Sequence, residues 1–166
     1  KRSIITFMTR KERYKRILTY FQKNQPVAET ELEYGDAYEL MVAVILSAQC
    51  TDKRVNLITP GFFSVFPTIR SLASASREQV FELIRSCSYP NNKAKHLVGM
   101  ANYVLDNFKG KIPSDVTLLQ QIPGVGRKTA NVIASVVYGK PAMAVDTHVF
   151  RVSARLGLTL KAKNPL

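Results

Sequence analysis

"QIPGVGRKTANV", residues 121–132, places a proline and two glycines directly before a run of residues that is typical of a helix. A short helix is also predicted before it, over DVTLLQQ at residues 115–121, where Ser114 can supply the N-terminal cap. Pro123 and Gly124 force this first helix to end. The stretch therefore predicts two helices joined by a tight turn.

The second helix is predicted from about Arg127 to Tyr138, so the hairpin spans about residues 114–139. Glycine in the turn allows unusual backbone angles and a close approach of a ligand to the main chain. The amides of Gly124, Gly126 and the first turn of the second helix are then expected to bind a phosphate. A plain turn between two helices is the alternative for a Gly-x-Gly pattern taken alone.

Most of the remaining sequence also predicts helices, and the alternation that is typical of strands is scarce. We expect an all-α protein of about eight or more helices joined by short loops. The apolar run AYELMVAVILSAQ, residues 37–49, predicts a buried central helix. Further helices are predicted in ERYKRILTYFQKN at 12–24 and KAKHLVGMANYVLDNFKG at 93–110, and a loop is predicted at SYPNN, residues 88–92.

The charge balance favours a polyanionic partner, because 24 Lys and Arg residues stand against 12 Asp and Glu residues, a formal net charge of +12. A membrane is the weaker interpretation, since no apolar run approaches the ~20 residues of a spanning helix. The N-terminal stretch lacks the pattern of a secretory signal, so we expect an intracellular protein.

Cys50 and Cys87 are too few for a disulfide scaffold and are interpreted as buried or incidental thiols. His96 and His148 have no ligand cluster around them in sequence, so no metal is expected there.

Three stretches resemble one enzyme family. LLQQIPGVGRKTA at 118–130 resembles the helix-hairpin-helix motif of the DNA glycosylase superfamily, and NVIASVVYGKPAMAVDTHVFRV at 131–152 resembles the endonuclease III family. ILSAQCTDKRVN at 45–56 is similar to the LSAQ-x-TD segment of that family. The strings stand in the family's order and spacing, and the resemblance extends from about residue 10 to residue 158.

The resemblance implies a helix-hairpin-helix glycosylase fold with a central six-helix domain at residues 30–141. Residues 1–29 and 142–166 would form a second helical lobe, which we expect to be truncated at its C-terminus because the sequence stops at Leu166. Family members generally carry a four-cysteine loop that holds a [4Fe-4S] cluster, and neither Cys50 nor Cys87 matches a ligand. No cofactor is therefore expected in this chain, and a cluster is expected only if the natural protein continues past Leu166 with four cysteines.

The resemblance also assigns a nucleophilic lysine to Lys128 and a catalytic aspartate to Asp146. A lysine amine attacks only when unprotonated, and the positive end of a helix, together with Arg127, disfavours its ammonium form. The two residues lie 18 positions apart, so a helix and a reversal could bring them to one cleft. The alternatives are a solvated or phosphate-contacting lysine and an aspartate that only caps the next helix.

Other positions match family residues that contact DNA. Gln49 corresponds to a residue that fills the space of a flipped base, although it could simply be a polar residue at a helix end. Asp52 matches a carboxylate near the active site or caps a helix. Tyr89 replaces a leucine wedge of the family's GLYN-x-KA loop and could stack on a base, or the loop is merely variable. Lys93 and Lys95 are expected to meet phosphates or solvent. The hairpin residues expected at DNA are Gly124, Val125, Gly126, Arg127 and Thr129.

The function implied by the resemblance is base-excision repair by an N-glycosylase and abasic-site lyase. The enzyme would remove oxidised pyrimidines from double-stranded DNA and cut the strand by β-elimination through a lysine Schiff base, without a metal. We expect a monomer that is cytoplasmic and associated with the nucleoid. Two alternatives stay open: a non-catalytic helix-hairpin-helix DNA-binding fragment, and a glycosylase of the same superfamily that lacks lyase activity.

Overall fold

The computed structural model describes residues 8–27 and 29–165, and within this part every regular element is an α-helix. The prediction of an all-α fold is thus confirmed. The helices are α1 Arg10–Asn24, α2 Ala37–Ser47, α3 Asp52–Val65, α4 Ile69–Ala73, α5 Arg77–Ile84, α6 Pro90–Phe108, α7 Val116–Leu119, α8 Arg127–Val136 and α9 Thr147–Arg155. None of the helices in the described ranges is both long enough and apolar enough to cross a bilayer.

Residues Thr30–Ala144 form one compact unit that contains α2 to α8. Its core is centred on α2, whose residues from Tyr38 to Leu46 are all buried except Glu39, which is partly exposed. The N-cap Asp36 accepts a 2.9 Å hydrogen bond from the Glu39 amide and starts this helix. A helix that is apolar on nearly all sides is stable only in the middle of a core, as the sequence predicts.

The helix α6 connects the rest of this unit, because it packs against α4 and α5 and also contacts α2. Leu97, Ala101 and Val104 form its buried stripe. α2 also packs against α3 and α8, while α7 and α8 pack together as the predicted hairpin. The hairpin therefore packs, through α8, against the core helix α2, which also packs against α3.

The second unit consists of the segments Lys1–Glu29 and Val145–Leu166, and its helices are α1 and α9. The side chain of Arg13 donates a 3.4 Å hydrogen bond to the Leu156 carbonyl, and the Tyr14 hydroxyl donates one of 3.3 Å to the Leu158 carbonyl. Neither helix has a buried residue among its described positions. The exposed apolar side chains of α1 include those of Leu18 and Phe21.

The loop predicted at SYPNN is wrong in its second half, because α6 begins at Pro90 and includes both asparagines. Proline suits the first position of a helix, where its missing N–H has no intrahelical acceptor anyway. Tyr89 is the N-cap and adopts a left-handed backbone angle, φ 54°. The connection between α5 and α6 therefore ends at Tyr89.

Two smaller predictions in the hairpin also need correction. The N-cap of α7 is Asp115 and not Ser114, since its carboxylate accepts hydrogen bonds of 2.8 and 3.0 Å from the amides of Thr117 and Leu118. The helix α8 ends at Val136, two residues before the predicted Tyr138. The short helix α4 was not predicted, although Thr68 and Ser71 form a capping box at its start.

Candidate active site

The hairpin turn lies between α7 and α8 and depends on Gly124. Its φ of +81° is in the left-handed region, and a Cβ at this position would lie 2.8 Å from the Cβ of His96 on α6. The Val125 amide closes the turn by donating a 3.0 Å hydrogen bond to the Ile122 carbonyl. Only glycine combines this backbone angle with so close a neighbour.

Gly126 is the N-cap of α8, with an extended backbone and without a side-chain cap for the helix. The first-turn amides of α8 therefore have no capping side chain, whereas Ser, Thr or Asp caps serve α3, α5 and α7. A Cβ at Gly126 would meet nothing within 4 Å, so its surroundings are open. An anion can approach these amides, because the positive end of the helix points towards it.

A cavity of about 280 Å³ lies beside the start of α8. Lys128 and Thr129 enter it from α8, and Gln49 and Asp52 enter it from the end of α2 and the start of α3. The volume is close to the lower end of the ~300–1,000 Å³ that is usual for ligand pockets. The remaining lining residues are Thr30, Leu32, Val44, Ser47, Ala48 and Val132. Four of the residues singled out in the sequence thus share one cavity.

Packing of α2 against α8 explains why these residues meet. Val44 on α2 and Val132 on α8 both line the cavity, and Val132 lies one helical turn after Lys128. A 2.8 Å hydrogen bond from the Asn131 side chain to the Met143 carbonyl ties α8 to the segment that follows it. Val132 and Lys128 therefore line the cavity from the same short helix, and Val44 lines it from α2.

Gln49 and Asp52 lie on either side of the turn between α2 and α3. Gln49 has a positive φ of 55° and is exposed, which holds its side chain away from the core. Thr51 is the N-cap of α3, so Asp52 occupies the first helical position and leaves the capping role to its neighbour. Asp52 thereby contributes the carboxylate of the cavity.

Tyr89 lies on a second turn, which is joined directly to that of Gln49. The Ser88 hydroxyl donates a 2.5 Å hydrogen bond to the Gln49 carbonyl. Tyr89 has a φ of 54°, a conformation that is uncommon for residues other than glycine, and its side chain is 62% exposed. Two exposed polar or aromatic side chains are thus presented by two turns that are held together.

Lys93 does not lie where the sequence suggested. Its side chain is only 4% exposed, and its amine donates a 2.7 Å hydrogen bond to the Leu46 carbonyl in the last turn of α2. The prediction that it meets phosphate is wrong, because a buried amine with this acceptor does not reach a bound duplex. Lys95, two positions further along α6, is exposed.

The hairpin residues differ in what they can offer a ligand. Arg127 is exposed at the first position of α8, whereas the Val125 side chain is 5% exposed and belongs to the core. The Val125 amide is also already paired. Arg127 and the backbone around Gly124 and Gly126 are therefore the accessible part of the turn.

Asp146 belongs to the other unit and is the N-cap of α9, where its carboxylate accepts a 2.7 Å hydrogen bond from the Val149 amide. The predicted capping role is confirmed. A carboxylate has two oxygens, so a capping role does not by itself exclude a second role. The side chain is partly exposed.

Several cavity residues were missed in the sequence. Val132 could have been found from its helical spacing to Lys128. Ser47 and Ala48 lie within the LSAQ string that resembles the endonuclease III family. Thr30 and Leu32 precede α2 in an irregular segment without a periodic pattern. Nothing in their local sequence indicates that they line a cavity.

No group of three or more His, Cys, Asp or Glu residues that could hold a metal ion occurs within the described ranges. His148 lies 3.1 Å from Arg151, measured from Nδ1 to Nη2, which is a hydrogen-bonding contact on the surface of α9. A [4Fe-4S] cluster requires four thiolates, whereas the sequence contains two cysteines. The residues present do not fit such a cluster.

Comparison with known proteins gives a consistent result. The family model for HhH-GPD superfamily base excision DNA repair proteins matches residues 42–165. Endonuclease III of Synechocystis sp. is 43% identical over 159 residues, covering 95% of this chain and 72% of that protein. Endonuclease III of Rickettsia conorii is 43% identical over 143 residues, covering 86% and 68%. A solved structure of a trapped endonuclease III–DNA covalent intermediate is similar with a TM-score of 0.88 at 39% identity, covering 96% of this chain and 74% of that one.

Proposed function

The chain belongs to the endonuclease III family of the HhH-GPD superfamily of base excision DNA repair proteins, and from this premise we propose that it is a bifunctional DNA glycosylase and abasic-site lyase. Its substrate is double-stranded DNA that contains an oxidised pyrimidine or an abasic site. The net charge of +12 favours such a polyanion, and the protein acts at the chromosome. It works as a monomer, since one chain supplies all the residues named below.

Lys128 is the nucleophile of the proposed reaction. Its amine attacks C1′ of the damaged nucleotide, the bond from C1′ to the base breaks, and the base leaves with a proton that Asp146 helps to deliver. The C1′–O4′ bond of the sugar ring then breaks, the remaining amine proton passes to O4′, and the nitrogen forms a Schiff base with C1′. Removal of a proton from C2′ then expels the 3′ phosphate by β-elimination, and water releases Lys128.

The cavity holds the nucleotide in which this reaction occurs. A base must leave the duplex before C1′ can be reached, and a pocket accepts it beside the nucleophile. Asp52 supplies a carboxylate at this pocket, and Thr129 a hydroxyl. Gln49 fills the vacated space in the duplex, and Tyr89, which is exposed on the adjoining turn, stacks on a neighbouring base.

The hairpin binds the DNA backbone. Gly124 and Gly126 let a phosphate approach the uncapped start of α8, and Arg127 adds a charged contact. Val125 contributes by packing the turn onto the core. These contacts are independent of base sequence, so they fix the position of the duplex while the cavity selects the lesion.

One observation carries the proposal: Lys128 lines a cavity together with Gln49 and Asp52, at the helix end that can also bind phosphate. A lysine that served only to bind DNA would be equally useful anywhere on a surface of this charge. Its place beside a carboxylate and an apolar floor favours attack on a nucleotide inside the cavity.

Borohydride trapping on DNA with a single abasic site tests the nucleophile. The wild-type chain should form a covalent adduct that survives denaturing electrophoresis, because borohydride reduces the Schiff base to a stable amine. Lys128→Ala should abolish the adduct while retaining DNA affinity. The matched control is Lys140→Ala, an exposed lysine beyond the other end of α8, which should trap normally.

The other outcomes distinguish the alternatives. An adduct that persists in Lys128→Ala would refute the assignment of the nucleophile. Absence of an adduct, together with cleavage of DNA containing an oxidised pyrimidine only after alkali is added, would indicate a glycosylase without lyase activity. Binding with neither base release nor an adduct would indicate a non-catalytic DNA-binding protein.

A further inference from the structure

The two cysteines lie on the two turns that present Gln49 and Tyr89. Cys50 directly follows Gln49, and Cys87 directly precedes Ser88, whose hydroxyl binds the Gln49 carbonyl at 2.5 Å. The hydrogen bond joins positions 39 residues apart in sequence. Each cysteine is thus the chain neighbour of a residue in this contact.

The thiols themselves also meet. Cys87 is buried in the core of its unit, and Cys50 is partly buried against the same core. Burial raises the pKa of the Cys87 thiol to about 11, and the neighbouring Cys50 thiol, which is within hydrogen-bonding contact, adds to the increase. The backbone amides of Cys50 and Cys87 are held by the carbonyls of Ser47 and Ile84, respectively. Both cysteines therefore have fixed backbones and adjacent side chains.

Access to the two thiols is unequal. Cys50 is partly exposed, so a reagent in solution can reach it, whereas Cys87 is 5% exposed. Cys87 is protonated at neutral pH, and it lies close to the buried amine of Lys93. This division resembles that of thiol pairs in which an accessible sulfur reacts first and an inner sulfur resolves the product.

We propose that Cys50 and Cys87 form a reversible intramolecular disulfide that locks the turns of Gln49 and Tyr89 together. The oxidant is a low-molecular-weight disulfide. The Cys50 thiolate attacks one sulfur of this disulfide and expels the other as a thiol, giving a mixed disulfide. The Cys87 sulfur, after losing its proton, attacks Cys50 and expels the second small thiol. Two protein thiols and one disulfide become one protein disulfide and two small thiols.

The bond has a consequence for DNA, and this part rests on the proposed function. In the proposed function Gln49 and Tyr89 contact a duplex in which a base has been displaced, and a hydrogen bond joins their turns. A disulfide between Cys50 and Cys87 adds a short, geometrically demanding connection, which limits any movement of the two turns relative to each other when DNA binds. We therefore expect the oxidised protein to lose activity on damaged DNA.

The chemical step is tested without DNA by incubating the folded protein with oxidised glutathione. Intact-mass analysis should show the loss of two hydrogen masses, and denatured protein should take up no maleimide until a reductant is added. Peptide mapping should find the linked peptides. Cys50→Ser should retain one unmodified Cys87, since the buried thiol is not attacked directly. Glutathione adducts on both cysteines, or no reaction of the wild-type chain, would overturn the proposal.

The functional consequence is tested by borohydride trapping before and after oxidation. The adduct of the wild-type chain should be lost on oxidation and restored by dithiothreitol, while Cys50→Ser should trap equally under both conditions. Circular dichroism should show that Cys50→Ser is folded, because position 50 is only partly buried. A disulfide that forms without changing the trapped fraction would overturn the locking effect. A reduced chain that never traps would instead refute the proposed function and leave the mass measurement valid.

Discussion

The amine of Lys93, in the first turn of α6, donates a 2.7 Å hydrogen bond to the carbonyl of Leu46, in the last turn of α2. The last carbonyls of a helix find no N–H donor within the helix, so this hydrogen bond pairs a carbonyl that would otherwise lack a partner. It also links the start of one helix, just after Tyr89, to the end of the other, just before Gln49. Lysine usually lies at the protein surface, but the buried Lys93 connects the two turns of the candidate site.

Replacing Lys93 by methionine should lower the free energy of unfolding by about 1–3 kcal/mol, because the Leu46 carbonyl loses its donor in a buried place. Urea denaturation measures this loss. Lys95→Met, two positions along and exposed, is the control and should leave stability nearly unchanged. The salt dependence of DNA binding should be unaltered in Lys93→Met, and a weaker dependence would show that the amine does contact phosphate.

Arg127→Gln should weaken the salt dependence of DNA binding. Each phosphate contact contributes about −0.9 to the slope of log K against log salt, so loss of one contact should make the slope less negative by about 1. Binding of fluorescently labelled duplex at several salt concentrations measures the slope. Arg70→Gln, an exposed arginine on α4, serves as the comparison. Equal slopes for the wild-type chain and Arg127→Gln would contradict a phosphate contact by Arg127.

Gly124→Ala should destabilise the hairpin by about 1–3 kcal/mol, since alanine at this positive φ is strained and its Cβ would lie 2.8 Å from His96. The midpoint of thermal unfolding should fall accordingly. Gly126→Ala is a matched control two residues later, where φ is −84° and no atom lies within 4 Å of an added Cβ. Its stability should be unchanged, while its DNA affinity should fall because the methyl group obstructs the approach of a phosphate. Similar losses of stability in both variants would refute the role of the Gly124 backbone angle.

Stability should decrease at alkaline pH through Cys87. Burial raises the pKa of its thiol to about 11 from the usual 9.0, so the folded state holds this proton more tightly than the unfolded chain does. The stabilisation is complete below about pH 9 and is lost as the pH rises towards about 11. Urea denaturation between these values, with reductant present, should show a decline that is shallower in Cys87→Ala. An unchanged decline in that variant would assign the effect to other groups.

Local sequence determined most of the secondary structure. The buried helix α2, most of the helix α6 and the Asp146 cap of α9 were all predicted, because helix formation depends mainly on residues three or four positions apart and on caps at the ends. The hairpin was also predictable, since proline restricts the backbone and glycine permits the backbone angles that a tight turn needs. The errors there concern the cap of α7 and the last two residues predicted for each of α7 and α8, where assignments of helix ends are least certain from sequence.

What the sequence by itself determined is therefore most of the helices and the turn of the hairpin, together with a family to which the chain belongs. Only the tertiary structure decided that Lys93 is buried, that Thr30 and Leu32 line the cavity beside Lys128, and that Cys50 meets Cys87. The physical reason is range. A helix is specified by contacts within a few residues, whereas burial and cavity shape arise when segments far apart in sequence pack together, and no local pattern records which side chains will then be neighbours.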